Sequence, residues 1–188
     1  GYYYEKCEGS ICTERVTNES SLAVLYGIAS ESQAERLFEN LKILETRNNA
    51  LIPYGDWGVV NAWPLYDGFT KHSYQNGTDW PFLDGMNAGA RLVSGNEDWY
   101  YPLTRWWTYN QEQDAEKVLP EYVSPVDIHA GDLQAWSVNP IVSFVRYGLG
   151  IDPKMNGEYQ VDSTMVGDSR IENIVLRGER TSLNILSQ

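Results

Sequence analysis

Hydrogen-bonding and aromatic side chains are concentrated in one stretch, KHSYQNGTDWPFLDGMNAGARL, at residues 71–92. Tyr74 and Trp80 offer flat rings, while Gln75 and Asn76 offer both donor and acceptor groups, as the recognition of a neutral sugar requires. Asn76 precedes a glycine, a pair that favours a turn. Apolar residues recur at helical spacing after Trp80, so the stretch predicts a binding loop fixed to the start of a helix. An ordinary turn before a capped helix is the alternative.

Two aspartates lie where this helix is expected to begin. Asp79 is placed to cap the free N–H groups of the first turn and to meet the positive end of the helix dipole, a structural role that we favour over catalysis. Thr78 is the other candidate for this cap. Asp84, in the first turns, can hydrogen-bond a sugar hydroxyl or tie the helix to its neighbours, so we keep it as a candidate binding residue.

Two tryptophan rings and one glutamine amide on other segments are further candidates for contact with a sugar. Trp57 lies in an aromatic stretch rich in glycine and proline at residues 48–71, and a loop of this length is unusual unless it lines a site or covers a core. Gln134 and Trp136 stand at the start of a later predicted helix. Pyranose C–H faces pack on flat rings, but core packing is the more common role of any single tryptophan.

The composition is that of a globular protein, with 42% hydrophobic and 21% charged residues. The formal net charge of −12 argues against partners with many phosphates, so we expect no nucleic acid and no anionic membrane. No apolar run approaches the ~20 residues that span a bilayer. Two separated histidines and the lack of a glycine-rich phosphate loop lead us to expect no metal and no cofactor.

Cysteines and glycosylation sequons leave several possibilities open. Cys7 and Cys12 are the only cysteines, and their spacing permits a small disulfide loop and equally two free thiols. Asn18 and Asn76 each begin a sequon for N-glycosylation. A glycan on Asn76 would obstruct the loop that we expect to be functional.

Hydrophobic periodicity predicts a mainly helical chain with a small β unit at its end. A capping box at Ser30 is expected to start one helix of an antiparallel hairpin. Pro140 falls inside another predicted helix and weakens it. The remaining predicted elements are helices at residues 80–93, 97–111 and 134–147, and strands at 2–5, 11–16, 158–161, 170–177 and 181–186.

Several segments resemble one known family. HSYQNGTDWPFLDG at residues 72–85 is similar to the "YHNGxxWPWLxG" segment of glycoside hydrolases with an (α/α)6 barrel. LPEYV at 119–123, followed by GDLQAWSV at 131–138, is similar to their "LPEL…TQAWS" block. GLGIDP at 148–153 resembles the barrel exit. The most similar members are the glucosidase part of glycogen debranching enzymes (amylo-α-1,6-glucosidase) and glucoamylase- and trehalase-like relatives.

This resemblance implies a mainly α fold, the C-terminal half of an (α/α)6 toroid at residues 1–152, with a small β extension at 153–188. It implies inverting hydrolysis of α-glucosidic or related oligosaccharide ends, in which one carboxyl group protonates the leaving oxygen and another activates water. Glu121 stands at the position of the family's general base, with a solvated loop glutamate as the alternative. The family's general acid has no counterpart here, so the implied partner is the N-terminal half of the barrel, in the same or another chain.

Two other functions remain open at this point. The chain can be a carbohydrate-binding or structural component without turnover. It can also be a barrel-type disaccharide phosphorylase, in which phosphate replaces the activated water. Phosphate needs basic or hydroxyl groups at the base position, so the acidic chain and Glu121 argue against this last function.

Overall fold

Helix α3 (Pro81–Val93) is the element against which most of the other helices pack. The computed structural model describes residues 6–113, 119–127, 131, 133–164, 168–176 and 178–185. Within them, α1 (Leu22–Leu25), α4 (Tyr100–Gln113) and α5 (Asn139–Ser143) all contact α3. The start of α3 confirms the sequence prediction, with Pro81 in the first turn, where its missing N–H costs nothing.

Small residues allow neighbouring helices to approach α3 closely. A Cβ at Gly85 would lie 2.6 Å from the backbone carbonyl carbon of Asn139 in α5. A Cβ at Gly89 would lie 2.7 Å from the ring of Tyr147. Side chains at these two positions would separate the helices, so glycine sets the distance between α3 and the C-terminal part of the chain.

Helix α2 (Glu31–Leu41) supplies much of the main hydrophobic core. Its predicted capping box is confirmed, and the Gln33 side chain accepts a hydrogen bond from the Ser30 N–H at 2.8 Å. The apolar face of α2 packs on residues from the loops that follow it. The buried members of this core are Val24, Ala34, Leu37, Phe38, Leu41, Leu44, Ile52, Trp57, Val59, Val60, Ala90 and Tyr101.

The described strands form four antiparallel pairs. Three are hairpins: β1 (Lys6–Glu8) with β2 (Ile11–Thr13), β5 (Ile151–Pro153) with β6 (Tyr159–Val161), and β7 (Ser169–Leu176) with β8 (Glu179–Ile185). The fourth joins β3 (Val16–Thr17) to the distant β4 (Ala62–Trp63). In the first hairpin Cys7 is disulfide-bonded and stands opposite Cys12 in the register, so the disulfide is the correct alternative.

The C-terminal strands confirm the predicted β unit, and they build a second, smaller core. Leu149, Ile151 and Ile185 are its buried members, with Phe144 and Ile174 among the residues that pack around them. The strand predicted at residues 2–5 lies outside the described residues.

The predicted toroid is wrong. A six-hairpin barrel needs long helices in antiparallel pairs, but α1 and α5 have only four and five residues and the described strands form separate small sheets. Between α2 and α3 the chain makes 3-10 turns, the short strand β4 and isolated β-bridges, in a stretch where glycine and proline recur and a loop was predicted. The fold is therefore a mixed assembly around α3, and a partner that supplies a general acid stays a prediction.

The helix predicted at residues 134–147 is also incorrect as a single element. It is a 3-10 turn (Ala135–Val138), the short α5, and a π-helical turn (Phe144–Gly148). Pro140 falls at the start of α5, where a proline is tolerated because its missing N–H is not needed. The sequence correctly indicated the break but not its form.

Candidate functional site

An open cleft of about 950 Å3 lies beside the start of α3, and we call it the aromatic cleft. It contains four of the predicted site residues. Its lining residues are Glu19, Leu22, Asn61, Tyr66, Phe69, Thr70, Ser73, Tyr74, Gln75, Asn76, Trp80, Phe82, Leu83 and Met86. The rings come from the loop before α3 and from its first turn, so one stretch of sequence builds most of the site.

Tyr74 and Trp80 form one wall of the aromatic cleft, and both pack on the buried ring of Tyr122, which does not line the cleft. The Trp80 ring stacks on Tyr122 with centroids 5.6 Å apart and an angle of 28°, and the Tyr74 ring meets Trp80 edge-on at 5.5 Å. The Trp80 indole N–H donates to the Thr78 hydroxyl at 2.8 Å, and the Tyr122 hydroxyl donates to Asp127 at 2.6 Å. Tyr74 remains 53% exposed, so its ring is held by neighbours and still open to a ligand.

Asn76 organises the loop instead of presenting its amide to a ligand. Its side-chain oxygen accepts the Tyr66 N–H at 2.7 Å, and its amide nitrogen donates to the carbonyls of Tyr66, Phe69 and Thr70 at 3.1–3.3 Å. The residue is 4% exposed. The amide is therefore fully used in folding the 66–70 loop over the cleft, which brings Tyr66 and Phe69 to its rim.

Asn61, which the sequence did not single out, braces the other side of the loop. Its amide nitrogen donates to the Gln75 carbonyl at 2.8 Å, and its side-chain oxygen accepts the N–H groups of Gly77 and Thr78 at 3.1 and 3.2 Å. The Gln75 side chain stays exposed at the cleft, where its amide can meet a ligand. Asn61 sits in an aperiodic stretch, so only the fold identifies its role.

Glu121 lies next to the wall of the cleft but is not one of its lining residues. Its segment is fixed to the start of α3, because Asp79 and Val123 exchange two backbone hydrogen bonds of 3.0 and 2.7 Å. Glu121 itself is half-buried, and its N–H donates to the Gly131 carbonyl at 2.8 Å. Glu121 directly precedes Tyr122 in the chain, and the ring of Tyr122 stacks on Trp80.

Three other predicted site residues lie away from the cleft lining. Trp57 is fully buried in the main core, and its indole N–H donates to the Pro53 carbonyl at 3.0 Å. Trp136 is 47% exposed on the 3-10 turn. Gln134 is half-buried, and its backbone N–H donates to Leu119 at 3.1 Å. Any contact of these residues with substrate stays a prediction.

Asp79 does not cap α3, and neither does Thr78. The residue before the helix is Trp80, which has no side-chain cap. One carboxylate oxygen of Asp79 accepts the Val59 N–H at 2.8 Å instead. Burial raises the pKa of Asp79 to about 7, although the interaction with Asp84 and the hydrogen bond from the Val59 N–H oppose the increase.

Asp84 is fully buried beneath the aromatic cleft and does not line it. It accepts a hydrogen bond from the Asn18 amide at 2.9 Å. Burial raises the pKa of Asp84 well above its ordinary value, and the charge of Asp79 adds to the increase. Of the two roles open to Asp84, the structure supplies the structural tie between α3 and the 3-10 turn at Asn18–Ser21.

A buried polar chain continues from Asp84 through the molecule. Asn18 accepts a hydrogen bond from the Asn87 amide at 2.7 Å, and Asn87 accepts one from Arg91 at 2.9 Å. Arg91 then pairs with Glu45 at 3.2 Å, and both side chains are at most 1% exposed. This chain ties two separate segments, at Asn18 and at Glu45, to α3, and none of these contacts follows from a local sequence pattern.

Both glycosylation sequons begin at a buried asparagine whose amide is already in use. Asn18 donates to Asp84, and Asn76 donates to three carbonyl oxygens. Neither amide is accessible in this fold for attachment of a glycan.

Comparisons with protein-family models and with curated proteins find no match for this chain. Among the described residues, no group of three or more His, Cys, Asp or Glu side chains lies close enough to hold a metal ion. The helices of the described ranges include none with the length and apolar character to cross a membrane. The function is therefore argued from the geometry of the aromatic cleft.

Proposed function

We propose that the aromatic cleft binds a neutral oligosaccharide. The observation that carries this proposal is the combination of rings and neutral polar groups at one opening of about 950 Å3, within the size range of small-ligand sites. Tyr74 and Phe69 are 53% and 71% exposed at the cleft, so flat apolar surface is available for the C–H face of a sugar. Gln75 and Ser73 supply donors and acceptors beside these rings.

The charge of the cleft favours a neutral ligand over an anionic one. Its lining residues include one carboxylate, Glu19, and no lysine or arginine. The chain as a whole carries a formal net charge of −12. A phosphorylated or carboxylated ligand would meet the Glu19 carboxylate and no cationic side chain in the lining, whereas a neutral sugar would not be repelled.

Inverting hydrolysis is the reaction that we propose for this site, with Glu121 as general base. Its position supports this role, since Glu121 is half-buried and precedes Tyr122, whose ring stacks on the cleft residue Trp80. The general acid would come from outside the described residues. Sugar binding without turnover is the second candidate, and it is favoured by the absence of Glu121 from the cleft lining.

The binding proposal is tested by calorimetric titration with neutral α-linked gluco-oligosaccharides. Tyr74→Ala and Phe69→Ala are each expected to weaken binding about two- to tenfold, because aromatic contacts contribute about 0.5–1.5 kcal/mol. Trp107→Ala is the matched control, since Trp107 is 39% exposed on α4 and outside the cleft. Equal affinity in wild type and both cleft variants would reject this site.

The hydrolytic proposal is tested separately. Glu121→Gln should abolish the release of reducing sugar and leave the affinity for the sugar unchanged. Glu19→Gln is the matched carboxylate control at the cleft. Full activity in Glu121→Gln would exclude it as the base, an absence of turnover despite binding would favour the non-catalytic candidate, and turnover that requires phosphate would favour the phosphorylase.

A further inference from the structure

Two buried carboxylate oxygens near the aromatic cleft are without a hydrogen-bond donor among the described residues. They are Oδ1 of Asp79 and Oδ2 of Asp84. The second oxygen of each group is satisfied, by the Val59 N–H at 2.8 Å and by the Asn18 amide at 2.9 Å. Both aspartates are 0% exposed, so water does not reach the two remaining oxygens from the surface.

These two side chains interact directly with each other, and a contact between carboxyl groups requires a proton. Each carboxyl group shifts the pKa of the other, and each has one buried oxygen that no donor of the described residues reaches. Two ionised carboxylates in contact inside a protein would repel each other and would leave both oxygens unsatisfied. One proton between Oδ1 of Asp79 and Oδ2 of Asp84 satisfies both atoms at once.

The other charged groups around the pair do not replace this proton. From α3 itself, Arg91 acts on Asp84, but its guanidinium is paired with the buried Glu45. The segment at Val59 offers only a backbone N–H, and the 3-10 turn offers the neutral Asn18 amide. At Gly58 a Cβ would lie 1.8 Å from Oδ2 of Asp79, so that side of the pair is closed as well.

We propose that Asp79 and Asp84 share one proton at neutral pH, and that this acid pair is the positioning element for the wall of the aromatic cleft. Asp79 exchanges backbone hydrogen bonds with Val123 and is followed directly by Trp80. The shared proton therefore holds the start of α3, the ring of Trp80 and the segment of Glu121 in one arrangement. This inference concerns the fold beneath the site and does not depend on the identity of the ligand.

Single asparagine variants test the pair, because an amide N–H can take the place of the proton. In Asp79→Asn the new amide can donate to Asp84 while its oxygen still accepts the Val59 N–H. In Asp84→Asn the new amide can donate to Asp79 while its oxygen still accepts from Asn18. The double variant would bring two amide N–H groups face to face, so it should be less stable than either single variant.

Two measurements detect the proton that Asp79 and Asp84 are proposed to share. In 13C spectra of the wild-type protein labelled at aspartate Cγ, one carboxyl group should keep the shift of a protonated acid at pH 8, and both single variants should lose that signal. The unfolding equilibrium constant of the wild type, relative to each single variant, should rise about tenfold per pH unit above the unfolded aspartate pKa of ~3.9, until the pair releases its proton.

Three results would overturn the proposal. The first is a wild-type spectrum at pH 8 in which every aspartate is ionised, a result that needs no variant to fold. The second is a protonated signal that persists in both single variants. The third is stabilisation of the wild type, but not of the single variants, by added Na+ or Ca2+, which would place a cation between the carboxylates.

Discussion

The Asn76 side chain holds together the loop that precedes α3. Its amide holds the 66–70 loop through four hydrogen bonds while almost completely buried. Asn76→Ala should lower the free energy of unfolding by about 3 kcal/mol, because buried backbone groups lose their partners. Urea denaturation measures this change, and the exposed neighbour Gln75→Ala is the control, with little effect expected. Equal stabilities of the two variants would show that Asn76 does not organise the loop.

Some individual site residues could be predicted from the sequence. Tyr74, Gln75, Asn76 and Trp80 were predicted from their types and spacing, and all four line one cleft. The sequence could not show that the amide of Asn76 is buried and hydrogen-bonded within the loop while that of Gln75 is exposed, because both side chains carry the same amide group. Trp57 shows the same limit, since a tryptophan that lines a site and one that fills a core have the same local sequence.

At the scale of elements, the close contact of α3 with α5 depends on Gly85. Alanine has the higher helix propensity, yet its Cβ would lie 2.6 Å from the backbone of Asn139. Gly85→Ala should therefore destabilise the protein by about 1–3 kcal/mol, the usual cost of overpacking. Thermal unfolding checks this, with Glu35→Ala at an exposed position of α2 as the control. A variant more stable than wild type would contradict the close packing.

The buried pair of Arg91 and Glu45 connects α3 to the loop after α2. Arg91→Met should lower the free energy of unfolding by about 2–3 kcal/mol, because Oε1 of the buried Glu45 would lose its donor while Arg47 still pairs with Oε2 at 2.9 Å. Chemical denaturation measures the loss. Lys154→Met is the control, since it removes an exposed pair with Asp152 and should leave stability unchanged. A similar small effect in both variants would mean that the buried pair does not hold these elements together.

Elements with strong local signals were predictable, and those set by distant contacts were not. The start of α3, the capping box of α2 and the C-terminal strands follow from periodicity, proline and capping residues. The toroid failed because α1 and α5 are too short to form the paired helices of a barrel and the described strands form separate small sheets. The β3–β4 pairing and the Asp79–Val123 bridge, which the structure shows instead, join residues far apart in sequence.

At the scale of the whole molecule, stability should be greatest on the acid side of neutral pH. Burial raises the folded pKa of Asp79 to about 7 and that of Asp84 well above its ordinary value, whereas both groups titrate near their ordinary value of 3.8 when unfolded. The folded state thus holds more protons, so this contribution is complete below the unfolded pKa and is lost as pH rises through the folded values. Calorimetry should give a higher melting temperature at pH 5 than at pH 8. A higher value at pH 8 would contradict the raised pKa values.

The central claim is that a neutral sugar binds in the aromatic cleft. Amide hydrogen exchange with and without a neutral α-linked gluco-oligosaccharide locates the contact directly. The account predicts slower exchange at residues 66–76 and 80–86 on addition of the sugar, and no change at 134–138, where Gln134 and Trp136 lie outside the cleft. Protection confined to 134–138, or no protection anywhere at saturating sugar, would contradict it.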